Sequence, residues 1–170
     1  MAWRSRWQTV YGEFWKSEVS TQLKLRLFKA LVETVYLYGM ETYSLTKAMK
    51  QRLNGSQSLL LRKALQISYR DRVPNSQIYG DNGLWKASKI VRERRLRLTG
   101  HALRSSHPVA DLIFWTADKK MKIGQGRRIT FPKMLVQDTG LEVDDLARLA
   151  QDRQEWKQLI KSVISVDNVP

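Results

Sequence analysis

The chain has 170 residues, with 30 Lys and Arg against 16 Asp and Glu, giving a formal charge of +14 and a pI near 10.2. That excess favours polyanionic partners, with nucleic acid first, anionic membrane second and an acidic protein third. A hydrophobic content of 42% with six tryptophans excludes wholesale disorder, the lack of cysteine excludes disulfides and thiolate metal sites, and no apolar run is long enough to span a membrane.

Residues 1–19 carry Arg4, Arg6, Glu13, Lys16 and Glu18 without an uncharged apolar stretch, so they do not read as a secretory signal. An intracellular location, nuclear or cytoplasmic, is expected. Trp7, Tyr11, Phe14 and Trp15 sit at helical spacing in this arm. They suit a short amphipathic helix docked on a core; interleaved with Arg4, Arg6 and Lys16, they also suit stacking on bases.

Residues 20–67 read as a helical hairpin. In the first half Leu23, Leu27, Ala30, Leu31, Thr34, Val35 and Tyr38 recur at three- and four-residue steps, which predicts one buried face. Ser20 is placed to cap the start, and Gly39 follows where a helix end favours positive φ. Lys24, Arg26 and Lys29 lie off this stripe, either as a solvated face or as a cationic ridge against phosphate. The second half, from about Lys47 to Ile67, shows Met49, Leu53, Leu60, Ala64 and Ile67, widened by Leu59, Leu61 and Leu65. Asn54-Gly55 is expected to interrupt or kink it.

Residues 68–83, with Pro74, Gly80 and Asn82-Gly83, read as a linker whose Tyr69, Arg70 and Arg72 either contact a nucleic-acid backbone or are merely exposed. Residues 84–170 form a second region. Its helix from Lys86 to Arg104 sets Lys86, Lys89, Arg92, Arg94, Arg95, Arg97 and Arg104 against Glu93 alone. Like charges at helical spacing repel, and a polyanion relieves that repulsion while releasing its own counterions. From Thr116 to Lys133, Lys119, Lys120, Lys122, Arg127 and Arg128 are joined by Gly124 and Gly126 in a basic loop able to follow phosphates closely. A short helix is expected over Pro132–Gly140. An amphipathic helix comes next over Glu142–Val163, with Val143, Leu146, Leu149, Ala150, Trp156, Leu159, Ile160 and Val163 as its apolar face; over residues 138–155 Asp138, Glu142, Asp144, Asp145, Asp152 and Glu155 outnumber Arg148 and Arg153.

Catalytic patterns are nearly absent. His101 and His107 make no usual zinc site without cysteine, and His101 is expected to cap or pack near a helix break at Gly100. Asp144-Asp145 is the one adjacent acid pair; at the start of a helix it simply suits the dipole and does not suggest a metal site. No metal, no cofactor and no enzymatic activity are expected.

In order, KLRLFKALVETVYLYGMETYSLT (Lys24–Thr46), LRKALQISYRDRVPN (Leu61–Asn75) and RERRLRLTGHALR (Arg92–Arg104) resemble the carboxyl-terminal part of reverse transcriptases encoded by non-LTR, LINE-type retrotransposons. DTGLEVDDLARLAQDRQEWKQLI (Asp138–Ile160) is similar to the end of those polyproteins. The resemblance implies a thumb over residues 20–67 and a post-thumb extension, contacting template–primer, element RNA or target DNA. Leu37-Tyr38-Gly39 and Glu41 fall where the family ends its thumb. Gly126-Arg127-Arg128-Ile129 departs from the family's Arg-Gly-Arg-Pro run, and without cysteine the zinc knuckle of some relatives is missing. The palm's Tyr-x-Asp-Asp motif and the endonuclease are missing too, so the chain alone is expected neither to polymerise nor to cut.

The expectation is thus an all-α, loosely packed bundle: an aromatic arm, a thumb-like hairpin, basic helix and loop, and an acidic terminal helix. Its expected function is sequence-nonspecific binding of RNA, DNA or an RNA–DNA hybrid through Lys24, Arg26, Lys29, Lys89, Arg92, Arg94, Arg95, Arg97, Lys119, Lys120, Lys122, Arg127 and Arg128. Partners other than nucleic acid are the rest of a reverse transcriptase or a larger nucleoprotein assembly. A structural protein docking on an acidic partner and an inert retroelement remnant are the alternatives.

Overall fold

The computed structural model of the protein describes residues 12, 14–105, 108–113 and 130–166. Among these every regular element is helical, with no strand. The described chain divides into two compact units. One contains the residues up to Tyr38 together with Lys47–Ala87; the other contains Gly39–Thr46 together with the residues from Ser88 onward.

In the first unit, α1 (Thr21–Leu27) runs into a π-helical segment (Phe28–Glu33) and a last α-helical turn (Thr34–Tyr36). Ser20 caps it, its Oγ accepting from the Leu23 N–H at 3.4 Å, and Gly39 follows at φ +68. The buried face is not the one the periodicity predicts. Lys24, Phe28, Val32 and Leu37 point inward, whereas Leu23, Leu31, Val35 and Tyr38 are exposed, the last at 87%. Apolar residues occupy more than one side of this segment, so spacing alone does not choose a face, and the bulky Phe28 ring goes inside. The buried positions step by four, four and then five. The π-helical segment spans the second of these steps; the last falls in the closing α turn, where the Leu37 N–H bonds the Glu33 carbonyl at 2.9 Å and the backbone leaves the helix. Thr34 Oγ1 donates to the Ala30 carbonyl at 2.6 Å.

Helix α2 (Lys47–Ala64) passes straight through Asn54-Gly55, and nothing lies near enough to Gly55 to meet a Cβ. Leu53, Leu60, Leu61 and Ala64 are buried as expected, but Met49 and Leu59 face outward, and Gln57 and Ser58 take buried positions. α2 ends with Gln66 at φ +57, where the Ile67 N–H bonds the Arg62 carbonyl at 2.9 Å and the Gln66 N–H bonds that of Lys63 at 3.3 Å. This is a Schellman closure without its usual glycine. The Gln66 amide donates to the Trp15 carbonyl, a bond that offsets the cost of left-handed backbone.

Residues 68–83, a linker by composition, are folded. A 3-10 turn (Tyr69–Asp71) closes with a capping box between Ser68 and Asp71, and α3 (Asn75–Asp81) follows. Turn residues end these short elements without preventing them. Ile78, Tyr79 and Leu84 join Trp15, Phe28, Val32, Leu60, Leu61 and Ala64 in one core. Trp15 therefore belongs to the interior and not to a stacking surface; Trp3, Trp7 and Tyr11 lie outside the described residues. Gln57 satisfies the polar groups here: its Oε1 accepts from the Tyr79 hydroxyl at 2.9 Å and the Ala87 N–H at 2.6 Å, and its Nε2 donates to the Trp85 carbonyl at 3.1 Å.

The second unit is built on α4 (Ala87–Arg104), with α5 (Val109–Ile113), α6 (Phe131–Thr139), α7 (Val143–Gln151) and α8 (Arg153–Val166). Residues Leu96, Ala102, Ile113, Leu135, Leu146, Ala150 and Trp156 make its core. The expected single acidic helix is two, divided at Asp152. That carboxylate caps α8, accepting from the Gln154 N–H at 2.6 Å and the Glu155 N–H at 3.1 Å. Asp144 and Asp145 occupy the first turn of α7, as the dipole argument anticipates.

Gly100 does not break α4. A Cβ there would sit 2.1 Å from the Trp156 Nε1, whose N–H donates to the Leu96 carbonyl at 2.9 Å. The indole lies directly on the helix backbone, which only glycine permits. Two glycines in long helices thus have opposite roles. Gly55→Ala should stabilise by up to about 1 kcal/mol through helix propensity alone. Gly100→Ala should cost about 3 kcal/mol or more, because a rigid ring must move and leave a buried N–H unpaired. Urea unfolding of both variants checks the pair, and equal signs would refute it.

Burial raises the hydroxyl pKa of Tyr36 and of Tyr79 above the ordinary 10.0, and the hydrogen bonds they make only partly oppose it. The native state then holds these protons more tightly than the unfolded chain does. Their contribution is complete below pH 10.0 and declines as pH rises beyond it. Wild type should lose stability above that pH more steeply than the double variant Tyr36→Phe/Tyr79→Phe, as measured by denaturant unfolding along an alkaline series.

Candidate nucleic-acid interface

The basic helix α4 carries Lys89, Arg92, Arg94, Arg95 and Arg97 of the expected phosphate contacts, and folding takes several of these away. Arg92 and Arg95, three residues apart, share one helix face. Both reach Asp138 on α6: Arg95 Nη1 lies 2.5 Å from Oδ2, and Arg92 Nε lies 3.4 Å from Oδ1. Arg95 is 3% exposed, and its remaining donors are also used. Nε donates to the Glu41 carbonyl at 2.9 Å and Nη2 to the Tyr43 carbonyl at 2.9 Å. A buried guanidinium needs partners, and here each of its three nitrogens has one. Arg95 is thus a framework residue, not a phosphate ligand.

Lys89, 7% exposed, and Lys24, 9% exposed, are likewise drawn in. A lysine carries a four-carbon apolar stem, and at Lys24 that stem lies on the Phe28–Val32 face. Arg104, exposed at the end of α4, donates to the Ala150 carbonyl at 2.8 Å and so serves the last turn of α7. Arg97 is exposed and bonds Glu93 one turn earlier at 2.6 Å, a surface pair worth tenths of a kcal/mol that phosphate can displace. Arg94 is half-buried, and Arg26 and Lys29 are exposed on the first unit. Lys119, Lys120, Lys122, Arg127 and Arg128 lie outside the described residues, as does His107; His101 is exposed within unbroken helix.

The expected cationic surface therefore keeps Arg26, Lys29, Arg94 and Arg97, holds Arg92 against Asp138, and gives up Lys24, Lys89 and Arg95. Exposed cations outside that set include Lys63, Arg70 and Arg72 in the first unit and Lys133, Lys157 and Lys161 in the second. The first three carry a signal in the sequence: Lys63 lies off the apolar face of α2, and Arg70 and Arg72 belong to a turn-rich stretch, where side chains face outward.

Among the described residues no cluster of three His, Asp or Glu could hold a metal ion, and no helix is long and apolar enough to cross a membrane. Comparison of the chain with protein-family models, curated proteins and solved structures finds no match.

Removing one partner of the buried pair should be costly. Arg95→Met leaves the buried Asp138 carboxylate with the more distant Arg92 alone and strips two backbone carbonyls of their donors, with an expected loss of about 3 kcal/mol. Arg95→Met/Asp138→Leu should recover part of that loss, since the buried carboxylate goes with its main partner and Arg92 is partly open to water. Chemical unfolding of the single and double variants measures it; a single-variant loss under about 1 kcal/mol contradicts the framework role.

Proposed function

We propose that the chain binds nucleic acid without sequence preference, gripping the sugar–phosphate backbone and lacking a catalytic palm. The carrying observation is charge that folding leaves on the surface: a chain of +14 keeps Arg26, Lys29, Lys63, Arg70, Arg72 and Arg97 exposed. Such cations position a backbone without reading bases. The resemblance to LINE-type reverse transcriptases supports the same reading and gives it a setting. α1 with its π-helical continuation and α2 act as a thumb, α4 to α8 act as the post-thumb extension, and the ligand is template–primer, element RNA or target DNA.

One observation favours a second reading. Leu23, Leu31, Val35 and Tyr38 leave an apolar face of the first helix in solvent, and such faces commonly mark docking sites. A structural role in a larger assembly would use that face and leave the cations incidental.

Filter binding across a salt series separates the two. Phosphate contacts give a linear fall of log affinity with log salt, of slope about −0.9 per phosphate neutralised on duplex. Arg26→Gln/Lys29→Gln and Arg94→Gln/Arg97→Gln should each lower that slope. A flat slope for the wild-type chain rejects the nucleic-acid reading.

A further inference from the structure

The first unit carries an open groove of about 940 Å³ between the end of α2 and the capped turn after it. That volume lies at the upper end of the roughly 300–1,000 Å³ typical of small-molecule sites. Leu59, Lys63 and Gln66 line one side, and Tyr69, Arg72 and Asn75 the other. None of these residues belongs to the basic helix α4 or to the basic loop of residues 116–133.

The groove is built rather than loose. Arg62, at its base, donates to the Val73 carbonyl and, at 2.9 Å and 3.1 Å, to the Asn75 Oδ1, which ties the turn to α2. The Ser68–Asp71 capping box fixes the turn itself, and Arg72 follows in left-handed backbone at φ +50. On this rigid turn the Tyr69 ring stands 95% exposed. An aromatic ring fully in water forgoes about 1.5–3 kcal/mol that burial would return, and no described residue covers it. Lys63 and Arg72 line the groove with it, Arg70 adjoins it in sequence, and none of the three enters an ion pair among the described residues; Asp71 is the one acid between Leu59 and Asn75.

From this juxtaposition we infer that the groove is a binding site for an unpaired nucleotide of single-stranded nucleic acid. A base stacks on Tyr69 while the adjoining phosphates meet Lys63 and Arg72. A protruding aromatic with cations on both sides is the chemistry of single-strand capture, because a base inside a duplex cannot offer its face to a side chain. An acidic peptide would satisfy the cations and leave the ring without a function. The inference rests on the nucleic-acid reading and adds to it a location and a strand preference.

Fluorescence anisotropy with a short labelled oligo(dT) and with a blunt duplex of equal length tests this on the full chain. Tyr69→Ala, at a position too exposed to affect folding, should weaken oligo(dT) binding about tenfold and duplex binding hardly at all, with the salt slope unchanged because the lost contact carries no charge. Tyr69→Trp should restore affinity. Lys63→Gln/Arg72→Asn, keeping a residue tolerant of left-handed backbone at 72, should lower the slope. Equal losses on both ligands overturn the site, as does polyglutamate displacing oligo(dT) as well as unlabelled oligo(dT) does. A silent Tyr69→Ala with salt-dependent binding intact removes this site alone; failure of the wild-type chain to bind either ligand removes the general reading with it.

Discussion

The second unit depends on a single carboxylate held by two guanidiniums. Asp138 would be expensive to bury alone, and Arg95 equally so. Together, with Arg92 on the other oxygen and two backbone carbonyls on the remaining donors of Arg95, the cluster is satisfied. It joins α4, α6 and the stretch Gly39–Thr46, which is why that stretch belongs to the second unit although the residues on either side of it belong to the first. Apolar packing is indifferent to direction; a forked guanidinium is not. Its fixed geometry selects one register of α4 against α6 where Leu96 and Leu135 alone would tolerate several.

This assigns different tasks to the basic residues of one helix. A cation is available to a polyanion only where folding has not already used it. On α4 the inward positions serve architecture, Arg104 serves the carbonyls of a neighbouring helix, and Arg97 is left to solvent with a weak local partner. Charge counted along a sequence therefore overstates the charge a ligand meets. The turn after α2 shows the reverse. Few residues are involved, yet their side chains stand clear of the chain, and Arg62 is spent on keeping them there.

The legible parts of the fold were those governed by local chemistry. Ser20 and Gly39 mark helix ends through capping and positive φ, both properties of single residues. The inward faces of α7 and α8 followed from period, since Leu146, Ala150 and Trp156 have polar neighbours to contrast with. Period failed around Phe28, where apolar residues occur on more than one side of the helix and a π-helical segment departs from the 3.6-residue period. Composition failed at 68–83, because proline and glycine mark boundaries of short helices as readily as they mark linkers. Gln57 and Asp138 were illegible for another reason. Their partners lie far away in sequence, at Ala87 and Arg95, and no local pattern reports a bond across such a gap.

The position of Gly39–Thr46 also bears on how the chain acquires its shape. Protein synthesis delivers residues from the amino terminus, and units can fold as they emerge. The two helices flanking this stretch can pack as soon as Ala87 is made. The stretch itself must wait, its carbonyls solvated, until Arg95 and then Asp138 have left the ribosome. Its docking partner is 54 residues beyond Glu41, so closure is a late, long-range event for a segment that is translated early.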